Sequence, residues 1–171
     1  MDNDLQLNRI PATDHPSLKA WNAADELMAD YSSTKEHSIG IYNDAFGYLS
    51  CRLAGANASI ITDLKSQATA IQTNAESSQI DIKPEQFFLL KDTLPKSLEI
   101  AYLKIPKSIG LFETYLQHIH ANTDVNGKVI CGFMTKYFNK NWLALAGKYF
   151  EIVEQSKAKK KARLIILSGK K

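Results

Sequence analysis

Cysteine is scarce in this 171-residue chain, and the two present, Cys51 and Cys131, lie far apart with no Cys-x-x-Cys or ligand spacing. That excludes a disulfide framework and a cysteine zinc site, and leaves two buried thiols of a reducing compartment. No apolar run approaches the ~18–20 residues of a membrane helix. The N-terminus, Met1-Asp2-Asn3-Asp4, is acidic where a secretory leader is basic. The expectation is a cytoplasmic protein with no membrane partner. Histidine is sparse too. His118 and His120 stand two apart on a helix and point to different faces, while His15 and His37 sit in loops without acidic or sulfur partners. All four read as ordinary surface residues, and no metal is expected.

What is present is an uneven charge. The net charge of +3 conceals 6 Lys and Arg against 12 Asp and Glu in residues 1–90, and 15 against 6 in residues 91–171. A basic half of this kind suggests an electropositive surface for a polyanion.

Short apolar runs alternate with helical stretches. Pro11 to Pro16 resists helix; Ser17 reads as an N-cap, and Leu18 to Tyr31 as an amphipathic helix with Trp21, Ala24, Leu27, Met28 and Tyr31 on one face. Strands are expected at 39–42, 59–62, 86–90, 100–104 and 128–134, the last preceded by Gly127 as a breaker. Helices are expected from about Gly47 to Leu53, after Asp63 as N-cap, and after Ser108. Two further strand-like runs, Tyr149 to Gln155 and Lys161 to Leu167, flank a charged stretch and read as a terminal antiparallel hairpin. The pattern implies an α/β fold: a mostly parallel seven-stranded sheet with helices on both faces, closed by that hairpin and preceded by an added N-terminal helix. This is the Rossmann-like architecture of class I methyltransferases, by analogy at the level of fold. The division expected is an N-terminal extension and helix over 1–36, and one compact unit over 37–169.

In such a sheet the ligand lies beyond the carboxyl ends of the strands, and glycines let the first turn approach it. Here that turn, Asn43-Asp44-Ala45-Phe46-Gly47-Tyr48-Leu49, holds one glycine and a phenylalanine. Asp63, after the second strand, stands where an acid would grip ribose hydroxyls, and reads equally as a helix cap. After the fourth strand, Lys104-Ile105-Pro106-Lys107 replaces the Asn/Asp-Pro-Pro-aromatic loop that amino-methyltransferases need. No catalytic site is expected. Asp44, Gly47 and Asp63 are vestigial cofactor positions, and S-adenosylmethionine is not expected to bind.

Lys157, Lys159, Lys160, Lys161 and Arg163 place five cations in seven residues, a candidate for RNA phosphates or a merely solvated loop. Lys104 and Lys107 flank the fourth-strand turn and are further candidates. Phe46, Tyr48 and Tyr102 can stack on bases, though aromatics beside strands belong more often to a core.

Three segments carry a resemblance. Pro11-Ala12-Thr13-Asp14 with Leu18 to Glu26, Asn43 to Cys51, and Leu103 to Lys107, joined by Lys160 to Leu164, resemble the N-terminal part of the bacterial large-subunit ribosomal RNA (guanine-N2) methyltransferases. That family joins two methyltransferase-like domains, of which the first is degenerate and the second carries the cofactor loop and an Asn-Pro-Pro-Phe motif. No Asn-Pro-Pro-Phe occurs in this chain. The resemblance implies a fragment, the non-catalytic first domain, with 23S ribosomal RNA and the C-terminal catalytic domain as partners. In the full enzyme that second domain holds S-adenosylmethionine. An active domain with a divergent cofactor loop, and a purely structural one, are the alternatives.

Overall fold

The computed structural model describes residues 5–10, 19–31, 38–54 and 58–171. Pro11 to Pro16, Ser17, Leu18, His15 and His37 lie outside them.

Seven strands form one sheet in the order β3-β2-β1-β4-β5-β7-β6. The first five are β1 (Ile39–Tyr42), β2 (Ser59–Ile61), β3 (Phe87–Phe88), β4 (Leu98–Lys104) and β5 (Thr123–Met134). They are all parallel. The last two, β6 (Phe150–Gln155) and β7 (Ala162–Lys170), pair antiparallel, and β7 runs antiparallel to β5. The sequence expectation of a parallel sheet closed by a hairpin therefore holds.

Alternating side chains divide the sheet into two packed faces. Ile39, Ile41, Ile100, Tyr102, Ile130 and Leu164 point to the face covered by α1 (Ala23–Asp30), α2 (Tyr48–Arg52) and α3 (Lys65–Ser77). Tyr42, Leu103, Val129, Cys131, Phe133 and Ile165 point to the other, under α4 (Ile109–Asn122) and α5 (Asn141–Ala146). Each fully buried side chain of this size contributes about 1.5–3 kcal/mol. Cys51 and Cys131 belong to opposite faces, so no disulfide joins them. Burial pushes the Cys51 thiol up to about 12.

Several local expectations need correction. The first helix starts at Ala23, five residues after Leu18. Asn22 is its N-cap: the Asn22 Oδ1 accepts from the Ala24 and Asp25 amides, and Asp25 Oδ2 accepts from the Asn22 amide. This reciprocal box outcompetes the apolar spacing that drew Trp21 into the helix. Trp21 instead stacks on Tyr48, with ring centroids 5.3 Å apart. Asp63 does not cap α3; Leu64 is the N-cap residue and no side chain caps it. Gly127 does not precede β5 but lies within it, where the ladder to β4 shifts register. A Cβ there would strike Thr123 Cγ2 and crowd Leu98 O at 3.0 Å, so the bulge requires glycine. The short helix α5 was not anticipated. Nor is His118 a surface residue. It is buried, bonded through Nδ1 to the Tyr42 hydroxyl at 2.7 Å and through Nε2 to Asp92 O at 2.8 Å. Because a carbonyl only accepts, Nε2 carries the proton and Nδ1 accepts from Tyr42.

Candidate functional site

The site is built at the carboxyl end of the sheet. There the chain between β1 and α2 turns through Asn43, whose φ is +60°, and Gly47, whose φ is +97°. Gly47 sits under α3, where a Cβ would come within 3.3 Å of the Ile71 Cα. Positive φ and close approach together explain the single glycine.

Asp44 turns inward. Its Oδ2 accepts from the Ser50 amide at 2.8 Å and the Ser50 hydroxyl at 2.6 Å, closing the turn onto α2. Burial raises the Asp44 carboxyl above its ordinary range; the Ser50 bonds and Lys104 oppose that shift, and Asp25 adds to it. An acid with a raised folded pKa stays protonated in the native chain after the unfolded chain has ionised. Its stabilisation is thus present below the unfolded value, about 3.9, and is lost as pH rises through the folded one. Urea unfolding across pH 4 to 7 checks this. The stability of the wild type minus that of Asp44→Asn should fall as pH rises, and a flat or rising difference contradicts it.

Across the same end runs a ladder of side chains. The Thr62 hydroxyl donates to Gln67 Oε1 at 2.8 Å, Gln67 Nε2 donates to Asn43 Oδ1 at 3.0 Å, and Asn43 Nδ2 donates to Lys104 O at 2.7 Å. It ties the ends of β2, β1 and β4 to α3. The polar groups a ligand of this crevice would use are bonded to one another. Asp63 follows suit: its Oδ1 accepts from the Leu90 amide at 2.8 Å, beyond β3. Beside it remains a shallow apolar cleft of about 260 Å³ between Leu64 and Leu89. S-adenosylmethionine therefore fits this residue set poorly. The one glycine serves the turn itself, and one oxygen of the acid where ribose would bind is engaged by the Leu90 amide.

The cations expected to meet RNA also gather at this end. Lys159 and Ala162 exchange backbone hydrogen bonds at 2.8 and 2.9 Å, so Lys160 and Lys161 are the two central residues of the turn joining β6 to β7. Both have positive φ, +52° and +64°, the signature of a type I′ turn. Asn-Gly suits such a turn, and two lysines there cost local stability. The Thr135 amide bonds Lys161 O, anchoring the turn beside the end of β5. Lys157, Lys159, Lys160 and Lys161 are all exposed. Lys159 and Lys160 share a cleft of about 120 Å³ with Glu26 and Asp30 of α1, without an ion pair among the described residues. Arg163 is half-buried opposite Phe133 in the β5–β7 ladder.

Lys107 is exposed, but Lys104 is engaged. Its ammonium lies 2.8 Å from Asp25 Oδ2 and 3.1 Å from Asn22 Oδ1, pinning the start of α1 to the end of β4. Tyr48 and Tyr102 are core residues, and Phe46 lies half-buried beneath the Arg9 guanidinium, 5.1 Å away. An aromatic-walled surface lies elsewhere, on Phe133, Tyr137 and Trp142, which the sequence pattern did not single out. Past the ends of β4 and β5 is a cleft of about 290 Å³ walled by Phe133, Tyr137 and Trp142, with Lys107 and Asn139 on its lining. Among the described residues, no three His, Cys, Asp or Glu side chains converge on a metal position, and no helix is long and apolar enough to cross a membrane.

Comparison with known proteins places this geometry. Ribosomal RNA large subunit methyltransferase G of Psychromonas ingrahamii is 31% identical over 175 residues, covering 96% of this chain and 45% of that protein. The protein of the same name from Shewanella oneidensis is 32% identical over 170 residues, covering 95% and 45%. The chain thus spans less than half the length of these relatives. Among solved structures, a T. thermophilus 16S rRNA N2 methyltransferase in complex with AdoMet and guanosine superposes with a TM-score of 0.68 at 13% identity, over 88% of this chain and 44% of that one. The ribosomal protein L11 methylase of Lactobacillus delbrueckii subsp. bulgaricus gives 0.64 at 15% identity, over 86% and 77%. These likenesses show the Rossmann-like methyltransferase fold. The sequence profile of the RLMG N-terminal domain matches residues 1–171 from end to end, and the chain belongs to that family.

Proposed function

We propose that this chain is the non-catalytic N-terminal domain of an S-adenosylmethionine-dependent 23S rRNA (guanine-N2) methyltransferase, acting in the cytoplasm. In this reading it helps recognise the ribosomal RNA and supports the C-terminal catalytic domain of the same polypeptide, which holds the cofactor. In the same reading residues 1–36 form an N-terminal extension and helix, and 37–169 the degenerate methyltransferase-like unit. The observation that carries the non-catalytic part is the Thr62–Gln67–Asn43–Lys104 ladder, which satisfies the crevice from within. The RNA part is supported by the turn that holds Lys160 and Lys161 at positive φ, a costly arrangement that displays cations.

Equilibrium binding of a 23S rRNA fragment at several salt concentrations tests it. Each phosphate contact to a single strand contributes a slope of about −0.7 in log K against log salt. Four engaged lysines give roughly −3. Absent or salt-insensitive binding overturns the RNA role and leaves a structural module, whose charge-reversed lysines would not alter activity of the full-length enzyme. The apolar cleft beside Asp63 is the observation that favours the other reading, an active domain with a divergent loop.

A further inference from the structure

We propose that the cleft past β4 and β5 seats one unstacked nucleobase of a single-stranded RNA segment, with the flanking phosphates on Lys107 and Lys136. This rests on the RNA-recognition reading and gives it a second contact point, distinct from the β6–β7 turn.

The walls are those of a stacking site. Phe133, Phe138 and Trp142 pack with ring centroids 5.2 to 6.0 Å apart, forming a fixed aromatic block. Tyr137 stands free of it, 53% exposed, on the 3-10 turn Thr135–Tyr137 that follows β5. An exposed ring on a short turn is useful as a platform, because every base has a π-face. The Lys136 and Lys107 ammonium groups lie 5.0 and 5.8 Å from the Tyr137 ring centroid. Both are positioned to move onto the phosphates on either side of a stacked base. Among the described residues no Asp or Glu lines the cleft, so its charge complements a polyanion.

A second, independent observation points to a ligand. Trp142 is 4% exposed and lines the cleft, yet its indole N–H is buried with no partner among the described residues. An unmet buried donor is costly, and indole N–H groups in cores normally find an acceptor. A base seated against the ring brings carbonyl and ring-nitrogen acceptors beside it, and a small shift of the ring then opens the N–H to them. Asn139 adds a second polar group: its Oδ1 accepts from the Asn141 amide, leaving the Nδ2 amide hydrogens to donate. Arg163, opposite Phe133 on the same face of the sheet but outside the cleft lining, also has its Nε buried without a partner among the described residues. The volume of about 290 Å³ lies at the foot of the range for small-ligand sites; that range is ~300–1,000 Å³. It suits one planar ring system.

The test compares two fluorescent oligomers of equal length and charge, an oligoadenylate and its abasic counterpart, binding to the 171-residue chain. Wild type should prefer the base-bearing oligomer. Tyr137→Ala should weaken that oligomer about tenfold, as expected for one lost stacking partner, and leave the abasic one unchanged; Tyr137→Phe should restore the preference. Lys157→Ala with Lys159→Ala should weaken both oligomers equally. Equal affinity of wild type for the two oligomers, or a Tyr137→Ala effect shared by both, overturns the cleft while the lysine result upholds RNA recognition. That outcome would fit a cleft covered by protein instead. If wild type binds neither oligomer, RNA recognition fails and the cleft proposal with it. Tyr137 is exposed, so its variants should unfold in urea with the wild type.

Discussion

Replacing Lys157 and Lys159 by Ala and the turn pair by Lys160→Asn and Lys161→Gly should lower affinity for single-stranded RNA by roughly two to three orders of magnitude near 0.1 M salt. The same four changes should leave the hairpin more stable. The first effect follows from counterion release: each lost contact removes about 0.7 from the salt slope, so four flatten it by roughly 3. The second follows from the backbone. Lys160 and Lys161 occupy the left-handed region, φ +52° and +64°, where an L side chain costs about 1–2 kcal/mol and Gly or Asn far less. The turn pair alone should therefore raise the stability measured in urea by about 1 kcal/mol. Opposite signs for stability and binding are what distinguish lysines kept for a ligand from lysines that are merely solvated. A stabilised hairpin with unchanged RNA affinity would assign the run to solvent.

Lys104→Ala should behave in the reverse way, costing about 2–3 kcal/mol of folding stability with a far smaller effect on RNA. Its ammonium is the partner of Asp25, whose side chain is only 8% exposed and which also closes the capping box of α1. Removing one member of a buried pair leaves the other charge without compensation, a cost of about 3–5 kcal/mol when the pair is fully dry. The 22% exposure of Lys104 reduces it. Asp25→Ala in the Lys104→Ala background should cost much less than it does alone, because no unpaired carboxylate remains. The helix it anchors lies over β5, where Gly132 leaves room for Met28; a Cβ there would come within 2.7 Å of the Met28 Sδ. Should Lys104→Ala unfold like the wild type while losing tenfold in RNA affinity, Lys104 belongs with the phosphate contacts.

The strands were legible because their apolar runs are short and bounded, and the start of α4 because Ser108 caps it through the Leu111 amide as its position suggests. The helix start at Asn22 is legible in principle, because Asn followed three residues later by Asp is a capping signal, but the apolar spacing of Trp21 carries the helical pattern past it. The helix α5, Asn141–Ala146, offered only six residues, too few for periodicity to speak. Of the candidate site, the lysine turn and the lack of a glycine-rich loop could be read from the chain. The ladder could not, since Gln67 meets Asn43 from 24 residues away. Asp63 was a fair cap candidate, and only the approach of β3 shows its carboxylate turned to Leu90. The aromatic cleft had a signal: Tyr137, Phe138 and Trp142 interleaved with Lys136 and Lys140. It lay in a stretch with neither strand nor helix period, and its meaning depends on Lys107 arriving from the end of β4.

Calorimetric titration of the 171-residue chain with S-adenosylmethionine tests the central claim most directly. If the Asn43–Gln67 ladder and the inward Asp44 have closed the crevice, no binding heat develops at cofactor concentrations approaching about 1 mM, weaker than roughly −4 kcal/mol of affinity. Saturable binding in the micromolar range would contradict the account and make this domain a cofactor site in its own right.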